Sequence, residues 1–496
     1  MAADKSHLRN NAPQKGLDFA GDYHFPYLHL INHMGEGVDS ATHGENIIHL
    51  AVEFNIYESI YDSSVSGSVV IVDTQNLIAK LPIQGTERLS FIITTKLSND
   101  DEETVIDCRE SQGKEMHVFS VTDKQQLNDN TLTYTIHFAS REFVRNLRTR
   151  VSESFSGRMD QMVNKIFTDP DYLDSQKTLY FQQTRNQDKI VVPNLNPFAA
   201  ISMICKRSLP EIERSKGAGY LFYETTKGFH FRSLESLLAM GGAVARPTRW
   251  NFQSQINMVA DNKKDEVKDI ERRMQAVIKY EFSKPVDTLT NIIDGFYANR
   301  LVVHDAFNKT IQTHDFNYKD NYEKSYHLES LGFEADSRKH ITPNTQLNDT
   351  GKSLYEFADS KKMVSTETSR VHNDYEFTPV KDTLPKITSQ KAGYKNMNMS
   401  LLVHGNTMLN AGDVINFTAP IMQPGENKIP NPYTSGRYLI MAIKHTISVE
   451  SGTHEMVLRC FKDSVRTPYP REDDPLTVGR EFNNTINIYN EDITEL

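Results

Sequence analysis

Residues 131–138 read TLTYTIHF. Leu132, Tyr134, Ile136 and Phe138 alternate with Thr131, Thr133, Thr135 and His137. Successive side chains of a strand point to opposite faces, so this stretch is a strand with one buried and one polar face. The same period runs upstream, where Ile48, Leu50, Val52, Phe54 and Ile56 alternate with His49, Ala51, Glu53 and Asn55. Between them lies IYESIYDSSVSGSVVIVDTQNLIAKLPIQGTERLSFII, residues 56–93. It holds two apolar runs, Val69–Val72 and Leu89–Ile93. Asp73, Thr74, Gln75 and Asn76, then Pro82, Gly85 and Thr86, supply the turns between them. With Met116–Val121 as a further strand, this region reads as a small antiparallel barrel or sandwich.

The whole chain has 496 residues, too many for one core. It is 38% hydrophobic and 24% charged, the balance of a soluble multidomain protein. No apolar run is long enough for a membrane-spanning helix. The N-terminal MAADKSHLRNNAPQKG lacks the apolar centre of a secretory signal. Cys108, Cys205 and Cys460 are odd in number and far apart. They make neither a disulfide framework nor a zinc ribbon, and they fit assembly in a reducing cytoplasm. The formal net charge is −10 and no Lys/Arg run occurs, which argues against gripping DNA.

Past residue 150 the period changes to that of a helix. Phe155, Met159, Met162, Val163, Ile166 and Phe167 form one face. A second helix is expected over Pro197–Ser208, then a hairpin turning at Thr225–Gly228. Residues 263–282 carry Val267, Ile270, Met274, Val277, Ile278 and Phe282 on a helical stripe. A hairpin follows, Arg300–His304 with Ile311–Tyr318. Residues 320–390 are polar and weakly patterned. Alternation returns with Met397, Met399, Leu401 and Val403, then Val414–Thr418, Tyr438–Ser448 and Glu455–Phe461. The tail carries a strand-like NTINIYN. We expect this strand to add to a neighbour's sheet, so that truncation at 466 weakens assembly without unfolding the core.

The fold class is therefore α+β, multidomain and β-rich. The expected domains are an arm (1–44), a first β domain (45–150), an α+β domain (151–246) and a helix-and-hairpin region (247–320). A polar insertion (321–390) comes next. A second β domain (391–465, with strands from 295–320) and an extended tail (466–496) complete the chain.

Reactive constellations are missing. There is no Walker A loop, GxGxxG, GxSxG or HExxH. His454-Glu455 begins like the last of these, but Leu458 stands where its second His belongs, in a strand-like segment. His24, His29, His33, His43 and His49 lie near Glu36 and Glu45. Imidazole and carboxylate suit zinc or iron, yet the spacing matches no metal site, and surface histidines on a polar arm are the simpler reading. Paired acids such as Glu142 with Glu153 could cleave glycosidic bonds, but among 65 acidic residues such pairs arise by chance. Phe222, Tyr223, Phe229 and Phe231 could stack bases. Without basic neighbours they read as hairpin core. No catalytic residue, metal or cofactor is assigned.

Four weak patterns occur in a familiar order. The segment from MNMSLLVHGNTML through NAGDVINF to GRYLIMAIKHTIS and GTHEMVLRCFKDS resembles the final tube domain of baseplate central hub proteins. These are the tube-to-spike adaptors of contractile-tailed bacteriophages, related to the hub part of type VI secretion spikes. Gly405, Asn406, Leu409, Gly412 and Asp413 carry the turn, and Tyr438, Ile440, Ile443 and His445 the strand. Asp73, Asn76, Leu77, Gly85, Glu87 and Leu89 are similar to the family's first tube domain. VSESFSGRMDQMVNKIF and PNLNPFAAISMICKR resemble the helices that follow. The likeness covers roughly 45–320 and 390–465; the arm, the polar insertion and the tail depart from it.

The resemblance implies two antiparallel β-barrel tube domains flanking small α+β domains. It also implies a homotrimer whose six tube domains join a hexameric tail tube to a trimeric spike. The partners would be the chain itself, the central spike protein and the tail tube protein, with the tape-measure protein and inner baseplate wedge proteins as further neighbours. The place would be the virion's tail baseplate, assembled in the host cytoplasm. DNA would pass through without specific binding, and Thr131, Thr133 and Thr135 would line the lumen or a subunit contact. The role would be structural, not enzymatic. A bacteriocin or type VI hub, or a cell-wall hydrolase carried on the hub, is the alternative.

Overall fold

The computed structural model describes residues 19–32, 34, 45–75, 77, 83–95, 105–211, 219–240, 250–254, 270, 272–284, 287–305, 308–321, 325–328, 346–347, 352–353, 358–367, 380–394, 397–419, 431 and 433–464. In the first part of the chain these form β1 (Leu28–Ile31), β2 (Glu45–Asn46), β3 (Ala51–Ser59), β4 (Ser66–Asp73), β5 (Arg88–Thr94), β6 (Val105–Cys108), β7 (Met116–Asn128) and β8 (Thr131–Ser140). The middle holds α1 (Arg141–Arg148), β9 (Ser154–Arg158), α2 (Met159–Thr168), β10 (Leu179–Phe181), β11 (Gln187–Val191), α3 (Pro197–Cys205), β12 (Tyr220–Thr225), β13 (Gly228–Ser233) and α4 (Leu234–Met240). Then come β14 (Asn251–Gln253), β15 (Val277–Lys284), α5 (Thr288–Asp294), β16 (Ala298–Asp305), β17 (Thr310–Asn317) and α6 (Tyr318–Asn321). The last part holds β18 (Gln346–Leu347), β19 (Lys352–Ser353), β20 (Lys362–Glu367), α7 (Leu384–Gly393), β21 (Asn398–His404), β22 (Val414–Thr418), β23 (Gly436–Ser448) and β24 (Thr453–Phe461).

One 14-stranded sheet organises the molecule, with the path β15-β21-β24-β23-β3-β4-β8-β7-β5-β1-β2. β6 pairs with β5, β22 with β23, and β14 with β22. Every pairing is antiparallel except β14 with β22. Two separate barrels were the expectation. Among the described residues no barrel closes, because β23 and β3 hydrogen-bond to each other and join the two halves edge to edge. Each half keeps its own core. Phe54, Phe91 and Phe138 pack ring on ring in the first, at centroid separations of 4.9–6.0 Å. Met399, Leu401, Ile415, Phe417, Tyr438 and Leu458 fill the second.

Other differences have local causes. Residues 48–50 form a 3-10 turn and a bulge sits between Ala51 and Glu53, so Phe54 and Ile56 face the core while Val52 does not. Phe155 belongs to β9, and the helix starts only at Met159. The stripe expected as a helix to 282 is a strand from Val277, paired with β21. The 295–320 hairpin does not join the last β region. β16 and β17 form a separate sheet with β20, a parallel partner drawn from the polar insertion. The arm is pinned over its described residues. Gly21 carbonyl accepts the His454 N–H at 2.9 Å, Tyr23 Oη donates to Ser448 carbonyl at 3.2 Å, and His24 bridges to Thr94. The NTINIYN strand lies outside the described residues.

The middle region has its own core, in which Phe167, Phe222 and Phe229 stack between α2 and the β12–β13 hairpin. Phe222, Tyr223, Phe229 and Phe231 are all buried, so they are packing residues. A buried ion triad fastens this region to the first half. Lys177 Nζ lies 3.1 Å from Glu142 and 2.5 Å from Glu224, whose other oxygen accepts the Val65 N–H at 2.8 Å.

Candidate functional site

The candidate surface is a face of the sheet, and register builds it strand by strand. In β8, Tyr134, Ile136 and Phe138 are fully buried while Thr131, Thr133, Thr135 and His137 are not. Thr133 and Thr135 lie opposite Val72 and Val70 on β4 and opposite Gln125 and Thr122 on β7; His137 lies opposite Ser68 and Ser120. Ser68 leads to Asn55 on β3, and Asn55 to Thr446 on β23. Thr446 lies opposite Glu455, which lies opposite His404. Arg459 leads to Ser400, and Ser400 to Glu281 on β15. Because strand pairs keep facing, one polar face crosses eight strands from β7 to β15. Thr131 pairs with Asn128 at its rim. Among the described side chains this face carries both signs of charge, with Glu53, Glu281 and Glu455 beside Lys279, Lys444 and Arg459.

The two halves repeat one plan. The first runs β3-β4-β8-β7-β5 across the sheet and the second β15-β21-β24-β23-β22. In chain order each half has a first strand, a second, an outlying one, then a hairpin whose later strand sits inside. Two irregularities coincide too, while β7 has further shifts at Thr122/Gln125 and Gln126/Asn128 and β15 one at Phe282/Lys284. The first strands carry a bulge between Ala51 and Glu53 and between Val277 and Lys279. The hairpin strands carry one between Val118 and Ser120 and between Ile440 and Ala442. Bulges re-aim a strand at fixed positions, so their agreement is a structural repeat that the side chains do not spell out.

The signature residues fall at turns and seams. Asp73 ends β4, buried, and accepts the Gln75 N–H at 3.0 Å. Asn76 lies outside the described residues. Glu87 accepts the N–H groups of Gln84, Gly85 and Thr86 at 2.8, 2.7 and 3.0 Å, closing a turn in which Gly85 has φ +88. Asn406 is buried and its side-chain oxygen accepts the Met408 N–H at 2.9 Å. Gly405 N–H donates to His454 carbonyl at 2.7 Å. The His454 ring packs so closely that a β-carbon at 405 would lie 1.9 Å from Cγ. His445 Nδ1 and His454 Nε2 share a hydrogen bond of 3.1 Å. Burial lowers His445 to about 4 and His454 well below the usual imidazole value, so both are neutral near pH 7. Tyr438 is buried and its hydroxyl donates to Thr434 carbonyl at 2.6 Å.

Gly412 and Asp413 meet the middle region. Gly412 has φ +96, and a β-carbon there would lie 2.5 Å from the Tyr223 hydroxyl. Asp413 accepts the Asn410 N–H at 2.9 Å. Beside it stands Glu58 of β3, which sequence reasoning passed over. It accepts the Thr226 N–H at 2.8 Å and the Ala411 N–H at 3.1 Å, tying three segments together. Burial raises its carboxyl to about 7, and burial likewise raises Asp413. Thr95 and Thr407 stitch the halves elsewhere, with hydroxyls 2.6 Å apart and the Thr407 N–H donating to Thr95 Oγ1 at 2.9 Å.

Among the described residues no three His, Cys, Asp or Glu side chains group as metal ligands. The arm histidines that are described are scattered: His24 against Thr94, His29 stacked on Tyr27 at 4.4 Å, His49 beside Gln75. A cleft lined by Phe91, Cys108, Met116, Lys177 and Glu224 measures ≈ 20 Å³, room for about one water. Among the described residues no helix is long and apolar enough to cross a membrane.

The chain is thus a β-rich α+β protein built on one large antiparallel sheet. Its structure is similar to phage tail proteins and to type VI hub components. One is the 43 kDa tail protein of prophage MuSo2 from Shewanella oneidensis, at 10% identity and TM-score 0.47, covering 88% of this chain and 98% of that one. Another is a tail protein of Neisseria meningitidis MC58, at 9% identity and TM-score 0.47, covering 89% and 97%. A third is an E. coli type VI secretion component, itself described as similar to T4 bacteriophage tail proteins gp27 and gp5, at 8% identity and TM-score 0.36, covering 86% and 77%. No family model and no curated protein matches the sequence.

Proposed function

We propose that this chain is the structural hub subunit of a phage-type contractile tail. Three copies form a ring with pseudo-sixfold character that joins a hexameric tube to a trimeric spike, seeds tube growth and passes DNA on ejection. The observation that carries this reading is the internal repeat. Two units of one plan sit side by side in a chain, so a threefold assembly offers six similar units to a sixfold neighbour. In this reading the two tube domains do not close as separate barrels. Their shared sheet curves around the ring, and the polar face with Thr133 and Thr135 lines the channel. The mixed charge of its described side chains offers a polyanion no basic stripe among them on which to lodge. The middle region and its hairpin tip hold the two units at a fixed angle through Glu58, Lys177 and Glu224. The spike, tube, tape-measure and inner wedge proteins are the partners, and the place is the tail baseplate of the virion.

The test is the mass of the purified protein in solution, alone and with its spike. The proposal predicts a species of three chains of 56.7 kDa each. A chain that stays monomeric at micromolar concentration and with its spike contradicts it.

A further inference from the structure

The joint between the two units says how a second copy attaches. β23 begins on its own unit's β22, with Gly436–Leu439 opposite Phe417–Val414. Past the bulge after Ile440 its outer edge turns to the other unit, and Ala442–Ser448 pair with Ser59–Glu53 of β3. β7 begins the same way, with Met116 and His117 opposite Leu89 and Arg88 of β5. It passes the matching bulge after Val118. Beyond that bulge its outer edge has no strand partner among the described residues, and neither does the outer edge of β15, the counterpart of β3.

Both edges carry exposed apolar side chains. On β7, Phe119 is 49% exposed and Leu127 62%; on β15, Ile278 is 47% exposed and Tyr280 37%. Long edges of this kind template the addition of another strand.

We propose that the free edge of β7 in one copy pairs antiparallel with the free edge of β15 in a second copy, repeating between chains the joint that β23 makes with β3. The proposal rests on the hub reading and names the contact that closes its ring. Each copy offers one edge of each kind, so the contact is heterologous and can close on itself.

Register follows from the repeat. Matching the bulges makes Thr122, Gln125, Gln126 and Asn128 the counterparts of Lys444, Thr446, Ile447 and Ser448. It makes Lys279, Tyr280 and Glu281 the counterparts of Glu53, Phe54 and Asn55. The contact therefore sets Gln125 opposite Glu281, Gln126 opposite Tyr280 and Asn128 opposite Lys279. Gln125 and Glu281 both extend the polar face, so that face continues unbroken from one copy to the next.

The experiment is cysteine cross-linking in the full chain with diamide as oxidant. Chains carrying both Gln125→Cys and Glu281→Cys give covalent dimers and a closed covalent trimer on non-reducing gels. Each single variant stays uncross-linked, and a mixture of the two singles stops at dimer. The pair Gln126→Cys with Glu281→Cys, whose side chains lie on opposite faces, gives none. Solution mass, measured on wild type and on every variant, separates the causes of failure. A wild type that is trimeric, with variants that are trimeric but never cross-link at 125–281, overturns this contact and leaves the hub reading standing. A wild type that never leaves the monomer overturns both.

Discussion

Replacing Gly405 by alanine tests whether the seam of the second half is as tight as its geometry states. The new β-carbon would lie 1.9 Å from His454 Cγ and 2.1 Å from Nδ1. The imidazole has nowhere to retreat. It is fully buried, hydrogen-bonded to His445 at 3.1 Å and stacked on it at 5.3 Å. The backbone of His454 is held on both sides, by Gly405 N–H at 2.7 Å and by Gly21 carbonyl at 2.9 Å. Overpacking of this kind costs about 1–3 kcal/mol, and breaking the histidine pair adds about 1 kcal/mol. A destabilisation of about 3 kcal/mol should lower the melting midpoint of the β sheet by roughly 5–10 °C. The rescue is specific: adding His454→Ala opens the space the new methyl needs. In a double-mutant cycle read by urea unfolding the two changes should couple by more than about 1 kcal/mol. A Gly405→Ala protein that melts within about 1 °C of wild type, or strictly additive effects, would refute the packing argument.

Further outcomes follow from the buried charges and histidines. His445 and His230 sit at about 4 and His454 lower still, all by burial. The unfolded chain takes up these protons first, so stability should fall as pH drops from about 6.5 towards 4, by up to about 3 kcal/mol per histidine. His445→Gln should flatten that slope in urea titrations at pH 7 and 4.5. Glu58, raised to about 7, acts oppositely: its contribution is full below about 4.5 and is lost as pH climbs through 7. Glu58→Gln should remove that part of the pH dependence, as read by exchange protection of the Thr226 and Ala411 amides. Lys177→Met strands Glu142 and Glu224 as buried acids, and should cost about 3–5 kcal/mol in urea unfolding. Thr95→Val deprives the buried Thr407 N–H of its acceptor, and should cost about 1–3 kcal/mol by the same measure.

The sequence was most legible where one face is dry and the other wet. TLTYTIHF reads correctly at Tyr134, Ile136 and Phe138 because β8 lies inside the sheet, with partners on both sides, whereas Leu132 near the hairpin end is only half-buried. The hairpin at Thr225–Gly228 and the helix from Pro197 were equally plain. Edge strands were not. β15 is half exposed, with Ile278 and Tyr280 in the open, so its apolar residues fit a helical stripe as well as a strand. The repeat was hidden for a different reason. The halves share strand order and bulge positions, which are properties of backbone pairing, while equivalent side chains differ: Ile136 in β8, for example, and Leu458 in β24. Gly405 and Gly412 showed as turn residues, but not that a histidine ring and a tyrosine hydroxyl fill the space a side chain would take. Glu58 gave no signal, being one acid among 65. Its role depends on a hairpin and a turn more than 150 residues away along the chain.

If each chain supplies two like units to a closed ring, the ring's symmetry shows it. Image averages of the purified protein, taken along the ring axis, test it directly. The expected result is a threefold ring with six similar lobes around an open centre, two from each chain. Particles without threefold symmetry, or a ring with three lobes and no sixfold modulation, would contradict it.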